Sequence, residues 1–206
     1  MSSLTTTIDL LRHGEVEGDA VYRGSTDDPL TDVGWQQMVA ALQGKNDWDL
    51  IISSPLQRCS EFANLVAEED DIDLEIEKSF QEIDFGDWEG LSPDKILKQD
   101  ADKLKAWWQS PTRVTPPKGE DFHEFQARIL KFLKQMIENN KGNKILLITH
   151  AGVIRVILMH VLGMHEDNLF RLNVDNASVS KIMIYHDKQG DSWSLISHGC
   201  VPAIES

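Results

Sequence analysis

Two short apolar runs in this chain each end in a histidine, and that repeated pattern restricts the fold more than any other feature. Ile8-Asp9-Leu10-Leu11 runs into Arg12-His13-Gly14, and Lys144-Ile145-Leu146-Leu147-Ile148-Thr149 runs into His150-Ala151-Gly152. Each reads as a buried strand stopping at polar groups, and Lys144–Thr149 is the clearest strand in the chain. A helix follows His150 at once, with Val153, Ile154, Val156 and Ile157. Asp49-Leu50-Ile51-Ile52-Ser53 is a third such strand, entering Ser54-Pro55-Leu56-Gln57-Arg58. Serine followed by proline marks a helix start, with Ser54 as N-cap and Pro55 at the first position. Strands alternating with helices give an α/β sheet, whose carboxyl ends open the crevice where ligands bind.

The groups at those ends carry chemistry. Arg12 offers a planar fork of donors suited to phosphate or carboxylate. His13 is able to serve as base, nucleophile or metal ligand, and Gly14 permits a tight turn or a close approach. Arg58 lies in the first turn of its helix, where free N–H groups already favour an anion. Each has a plainer reading: polar residues reaching solvent for Arg12 and His13, a surface salt bridge for Arg58, a structural histidine for His150.

Between these ends, a loop spans Glu15 to Pro29, and Thr31 N-caps a helix carrying Val33, Met38, Ala41 and Leu42. The acidic run Glu68 to Asp73 reads as a solvated loop, and Leu74–Ile76 as a short strand. Phe80 to Gly90 mixes carboxylates with aromatics and glycines, which suits a loop holding an acid in a partly dry setting. Composition leaves Glu82, Asp84, Asp87 and Glu89 all open for that role. Pro93 to Trp108 reads as a helix, Pro111 to Gly119 as a proline-rich connection holding Arg113 and Lys118. Glu120 to Asn140 is a long amphipathic helix with Phe122, Phe125, Ile129, Phe132, Leu133 and Met136 on its core face. Ser178–His186 and Ser192–Ser197 read as two edge strands joined near Gln189-Gly190.

The 206 residues suffice for one domain with a substantial core. Lys and Arg number 20 against 34 Asp and Glu, a net charge of -14. That balance argues against nucleic acid or an anionic membrane as partner, and requires local cations if the substrate is anionic. Met1 to Thr7 has no basic start or apolar signal core, and Val153 to Val161 is broken by Arg155 and His160, so a cytoplasmic chain without a membrane span is expected. Cys59 and Cys200 give neither a disulfide framework nor metal-ligand spacing and are expected to be buried small apolar residues.

Taken together, the motifs resemble the histidine phosphatase superfamily, also called phosphoglycerate-mutase-like. Arg12-His13-Gly14 is similar to its hallmark, Ser53 to Arg58 to its second motif, Phe80 to Gly90 to its acid segment, and Thr149-His150-Ala151-Gly152 to its closing motif. The resemblance implies a three-layer α/β/α sandwich with a mostly parallel sheet, formed by one domain over 1–206 with a cap or lid insertion at about 91–120. It implies phosphomonoester hydrolysis without cofactor or metal: His13 as nucleophile, Glu82 as proton donor, and Arg12, Arg58 and His150 around the phosphoryl oxygens. A metal held by His13, His150 and Glu82 is the competing chemistry, and no ligand pair on one helix face or hairpin supports it.

Tyr22-Arg23-Gly24 and Asp27 to Thr31 resemble the α-ribazole phosphatase branch, which acts late in cobalamin assembly. On that reading Arg23, Gly24, Ala151 and Gly152 join the substrate contacts. Asp19 stands where many members place a phosphate-touching asparagine, with Arg23 as a compensating cation. Trp107 or Trp108 is a candidate to stack on a nucleoside base, against simple packing of the cap. The implied partner is a small phosphorylated metabolite, the chain being monomer or homodimer. The alternatives are a broad phosphatase for sugar phosphates or phosphoglycolate, a phosphoglycerate mutase, and a non-catalytic phosphate-binding domain.

Overall fold

The computed structural model describes residues 4–45 and 47–200. Residues 1–3 of the polar start lie outside them, while Leu4 onward already belongs to the first strand. Strand β1 is Leu4–Arg12, β2 Leu50–Ser53, β3 Leu74–Ile76, β4 Lys144–Thr149, β5 Val179–Asp187 and β6 Gly190–Cys200. They form one sheet in the order β3-β2-β4-β1-β5-β6. The first four are mutually parallel, and β5 runs antiparallel to both β1 and β6. The two C-terminal strands are therefore not both edges. β1 begins earlier than its apolar run because Leu4 to Thr7 pair with β5 along His186 to Met183, which places β5 inside the sheet.

Helices cover both faces. Helices α1 (Asp32–Leu42) and α2 (Gln57–Asp70) supply Met38, Phe62, Ala63 and Val66, which pack with Leu11, Ile51, Leu146 and Ile148. Helices α4 (Phe122–Asn139) and α5 (Ala151–Leu162) supply Phe125, Ile129, Leu133 and Ile157 against Ile8, Leu10, Ile52 and Leu147 on the opposite face. Each of the large side chains among them, Ala63 excepted, stabilises the fold by about 1.5–3 kcal/mol on full burial. Helix α3 (Pro93–Gln109) belongs to neither layer: Ile96, Leu104 and Trp107 form a separate cluster with Trp88.

Local chemistry sets the helix starts, with corrections. The Thr31 hydroxyl accepts from Gly34 N at 2.9 Å, as its cap position requires. Asp121 caps α4 through His123 N at 2.8 Å, so the helix opens at Phe122 rather than Glu120. Ser54 does not cap α2, which starts at Gln57 after Leu56; its hydroxyl faces His150 instead, 2.7 Å from Nε2. Helix α3 breaks at Asp100, where φ is -151°. Cys59 is buried, its thiol pushed up to about 12 by loss of water, whereas Cys200 is exposed because β6 is the sheet edge.

Register delivers the site. Arg12 pairs with Thr149 and Ser53 with Ile148, so His13, His150 and Ser54 leave three adjacent strands side by side. His13 N and Ser54 N continue the ladder onto Thr149 O and Ile148 O, each at 3.0 Å. Just beyond, the chain crosses the start of α1 so closely that a Cβ on Gly14 would lie 2.2 Å from Gly34 O. Glycine is required there.

Candidate active site

His13 is buried at the end of β1, and its Nδ1 lies 2.8 Å from Gly14 O. A carbonyl only accepts, so this contact places the ring proton on Nδ1 and leaves the Nε2 lone pair free. Nε2 has no hydrogen-bond partner among the described residues, and the ring lines a cavity of about 620 Å³. Burial holds the imidazole well below its usual pKa, and the charges of Arg12 and then Arg58 depress it further. The group at the strand end is a neutral imidazole with an available nitrogen. That is the form a nucleophile needs.

The cations around it have donors to spare. Arg58 spends one N–H on Thr26 O at 2.6 Å, one on Gly24 O at 2.8 Å and Nε–H on His150 Nδ1 at 3.3 Å. A guanidinium carries five, so two remain for an anion. Arg12 donates to Val174 O at 2.7 Å, yet its Nε is buried with no partner. An orphaned donor of this kind is costly unless a ligand completes it. His150 is fully buried with its ring 5.3 Å from that of His13, and burial, followed by the Arg58 charge, keeps it neutral.

Opposite stands Glu82, the one acid of the four candidates that shares the cavity with Arg12 and His13. Its Oε2 accepts from Gly152 N at 3.0 Å and its Oε1 from Ile83 N at 3.0 Å. A Cβ on Gly152 would lie 2.2 Å from Oε1, so glycine makes room for the acid. The other carboxylates have structural duties. Glu89 accepts from the backbone N–H groups of Gly24, Ser25, Thr26 and Phe85. Asp84 accepts from Gly86 N and Ser25 Oγ, and Asp87 pairs with Lys118 at 3.0 Å.

The remaining candidates sit at the rim. Arg23 lines the cavity, but it bonds Asp28 and the carbonyls of Glu17 and Asp19, so it first holds its own loop. The Asp19 side chain is exposed at the mouth. Gly24 offers its N–H to Glu89 and its carbonyl to Arg58 rather than to the cavity. Ala151 opens α5 next to Gly152. Trp107 is buried among Tyr22, Phe85, Trp88 and Phe170, with rings at 5.4 to 6.0 Å. Trp108 is 45% exposed and donates to the Tyr22 hydroxyl at 2.8 Å. Packing, not stacking, accounts for the buried member of the pair.

Two arginines that sequence reasoning passed over lie near the acid, and one of them holds its segment. Arg128 donates to Ser79 O and Gln81 O at 2.8 Å and to Glu82 O at 3.1 Å, and grips Glu120 with both ends of its fork. Arg155 lies across from Glu82 on α5. A cation interrupting the apolar run of that helix was its visible signal. Among the described residues no group of three or more His, Cys, Asp or Glu is arranged to hold a metal ion, and no helix is long and apolar enough to cross a membrane.

Comparison with known proteins agrees with this geometry. The model of the histidine phosphatase superfamily (branch 1) matches residues 8–195. A bifunctional protein of Mycobacterium tuberculosis is 33% identical over 187 residues, covering 88% of this chain and 51% of that protein, so the chain spans about half its length. The adenosylcobalamin/alpha-ribazole phosphatase of Escherichia coli is 30% identical over 180 residues, covering 85% of this chain and 88% of the relative. The solved structure of Bacillus stearothermophilus YhfR superposes with a TM-score of 0.85 at 28% identity, covering 95% and 98% of the two chains. With a mostly parallel sheet between two helical layers, and arginines and histidines gathered at its strand ends, the chain belongs to the histidine phosphatase superfamily, branch 1.

Proposed function

We propose that this chain is a metal-independent phosphomonoesterase acting through a phosphohistidine on His13. The observation that carries the reading is the Nδ1 contact to Gly14 O, which leaves a neutral imidazole with Nε2 free beside two arginines that have unspent donors. Nε2 attacks phosphorus in line, forming an N–P bond as the ester P–O bond breaks. Arg12 and Arg58 hold the phosphoryl oxygens through a loose transition state, and His150 joins them by turning its Nε2–H from the Ser54 hydroxyl to a phosphoryl oxygen. Glu82 gives its proton to the departing oxygen, then takes one from the water that attacks the phosphohistidine. Water releases phosphate and restores neutral His13.

For the leaving group, α-ribazole 5'-phosphate heads the substrate panel, supported by the Escherichia coli relative named for that activity. A second reading, a phosphatase for compact metabolites such as phosphoglycolate, is favoured by Arg155 sharing a small compartment with Glu82 and by the burial of Trp107 among neighbouring rings. Residues 91–120 form the cap of this proposed cytoplasmic enzyme, which works as a monomer or homodimer. A non-catalytic phosphate binder has no use for a free Nε2 facing an acid.

The test is rapid quench with a radiolabelled phosphomonoester in the presence of chelator. Acid-labile, base-stable label on the wild-type chain, and none on His13→Ala, is the expected result. Steady turnover by His13→Ala, or turnover lost to the chelator alone, overturns the mechanism.

A further inference from the structure

Beside the reactive cavity lies a smaller compartment of about 80 Å³, and Glu82 and Phe85 belong to the walls of both. Its other walls include Trp107, Phe122 and Phe170, with Arg155 as its cation. A space of that size holds a few non-hydrogen atoms. Its aromatic lining disfavours water, so a polar group enters only where a partner awaits it.

Arg155 is that partner. Its Nε donates to Leu172 O at 3.0 Å and its guanidinium carbon lies 5.4 Å from the centre of the Phe170 ring. Its other N–H groups have no hydrogen-bond partner among the described residues, and no carboxylate there forms an ion pair with it. They are not fully enclosed either. The side chain is thus anchored at one edge, stacked on one face and unspent at the other edge. That is how a fork is held ready for a planar anion.

Position supplies the rest. Glu82 delivers its proton to the ester oxygen, so the leaving group's first atoms lie against Glu82. A substituent close to that oxygen therefore reaches the compartment behind Glu82. We infer that Arg155 is a specificity-determining residue that binds a carboxylate carried by the leaving alcohol, close to its ester oxygen. This rests on the phosphatase reading above and selects its compact-metabolite branch. Phosphorylated hydroxy acids are the substrate class it assigns.

The test compares 3-phosphoglycerate with glycerol 3-phosphate, which differ in having a carboxylate or a hydroxymethyl group, and follows p-nitrophenyl phosphate alongside. A charge-assisted contact predicts that wild type prefers 3-phosphoglycerate by about 10- to 100-fold in kcat/KM. Arg155→Met abolishes that preference, chiefly through KM, and leaves glycerol 3-phosphate and p-nitrophenyl phosphate unchanged. Arg155→Lys, which keeps the charge without the fork, retains part of the preference. Equal use of the two substrates by wild type overturns the inference, as does a parallel fall on both in the Met and Lys variants. If Arg155→Met loses all turnover, the Lys variant and the wild-type ratio decide. Release from p-nitrophenyl phosphate without a preference removes this inference alone, whereas no release from any ester by wild type removes the phosphatase reading with it.

Discussion

On one side of the reactive cavity, His13, His150 and Ser54 emerge from three hydrogen-bonded strands whose register brings them together. On the other, Glu82 sits on irregular backbone between short 3₁₀ turns, with no ladder beneath it. Its segment is held by side chains reaching to main chain: Arg128 to three carbonyls before and at Glu82, Glu89 to four N–H groups that tie residues 24–26 to Phe85. The phosphate side inherits its geometry from the fold, and the acid side from individual residues. Sensitivity to distant substitutions is therefore expected on the second side and not on the first.

The largest effect that sharpens this contrast is at the acid itself. Glu82→Gln is expected to slow phosphohistidine formation from an alkyl phosphomonoester, read in a single-turnover burst, by about 10²- to 10⁴-fold, the range of general acid catalysis. In that step p-nitrophenyl phosphate, whose leaving group departs without a proton, loses far less. Equal losses in that step on both esters would remove Glu82 from proton donation to the leaving group.

A smaller effect separates the two supports. Arg128→Met leaves Glu82 in place but frees its backbone, and a displaced acid is expected to lower kcat for alkyl esters by about 10- to 100-fold. Cys59→Ala removes a side chain whose sulfur lies 3.8 Å from His150 Nε2, on the side the sheet already fixes. It is expected to leave kcat nearly unchanged. If the cysteine variant proves the more damaging, the comparison between the two sides fails.

The smallest effect reads the histidines through stability. His13 and His150 are kept neutral, mainly by burial and then by neighbouring arginines, so the unfolded chain binds their protons more readily than the folded one. Their contribution is complete above the ordinary histidine pKa of about 6.5 and is lost as pH falls below it toward the folded values. The slope is up to about 1.4 kcal/mol per pH unit per histidine. Urea midpoints compared for wild type and His13→Ala between about pH 8 and about pH 5 measure it. A wild type whose midpoint does not fall more steeply with acid than that of the variant would contradict the buried neutral state of His13.

The same division governs what was legible in the sequence. Strand ends announce themselves: Leu10-Leu11 before Arg12-His13, and Leu147-Ile148-Thr149 before His150, are local patterns whose consequence is fixed by parallel pairing. The choice of Glu82 over Glu89 needed the resemblance, because both lie in one loop and only tertiary contacts distinguish a cavity acid from a carboxylate spent on backbone N–H groups. Ser54 carried a cap signal that His150 overrode. Cys200 looked apolar enough to bury, but whether β5 or β6 forms the edge is decided by pairing with β1. Arg128 was hidden on the amphipathic helix, since the carbonyls it holds lie 46 to 49 residues away in sequence.

Arg12 Nε, buried without a partner, has a consequence for the reaction's aftermath. An anion bound there would pair that donor and offset the mutual repulsion of Arg12 and Arg58. On the proposed mechanism inorganic phosphate, the product, is such an anion, and it is expected to protect the fold against heat and urea in proportion to its occupancy. The occupancy that protects the chain would also compete with the next substrate, so that thermal protection and product inhibition would be two readings of one equilibrium.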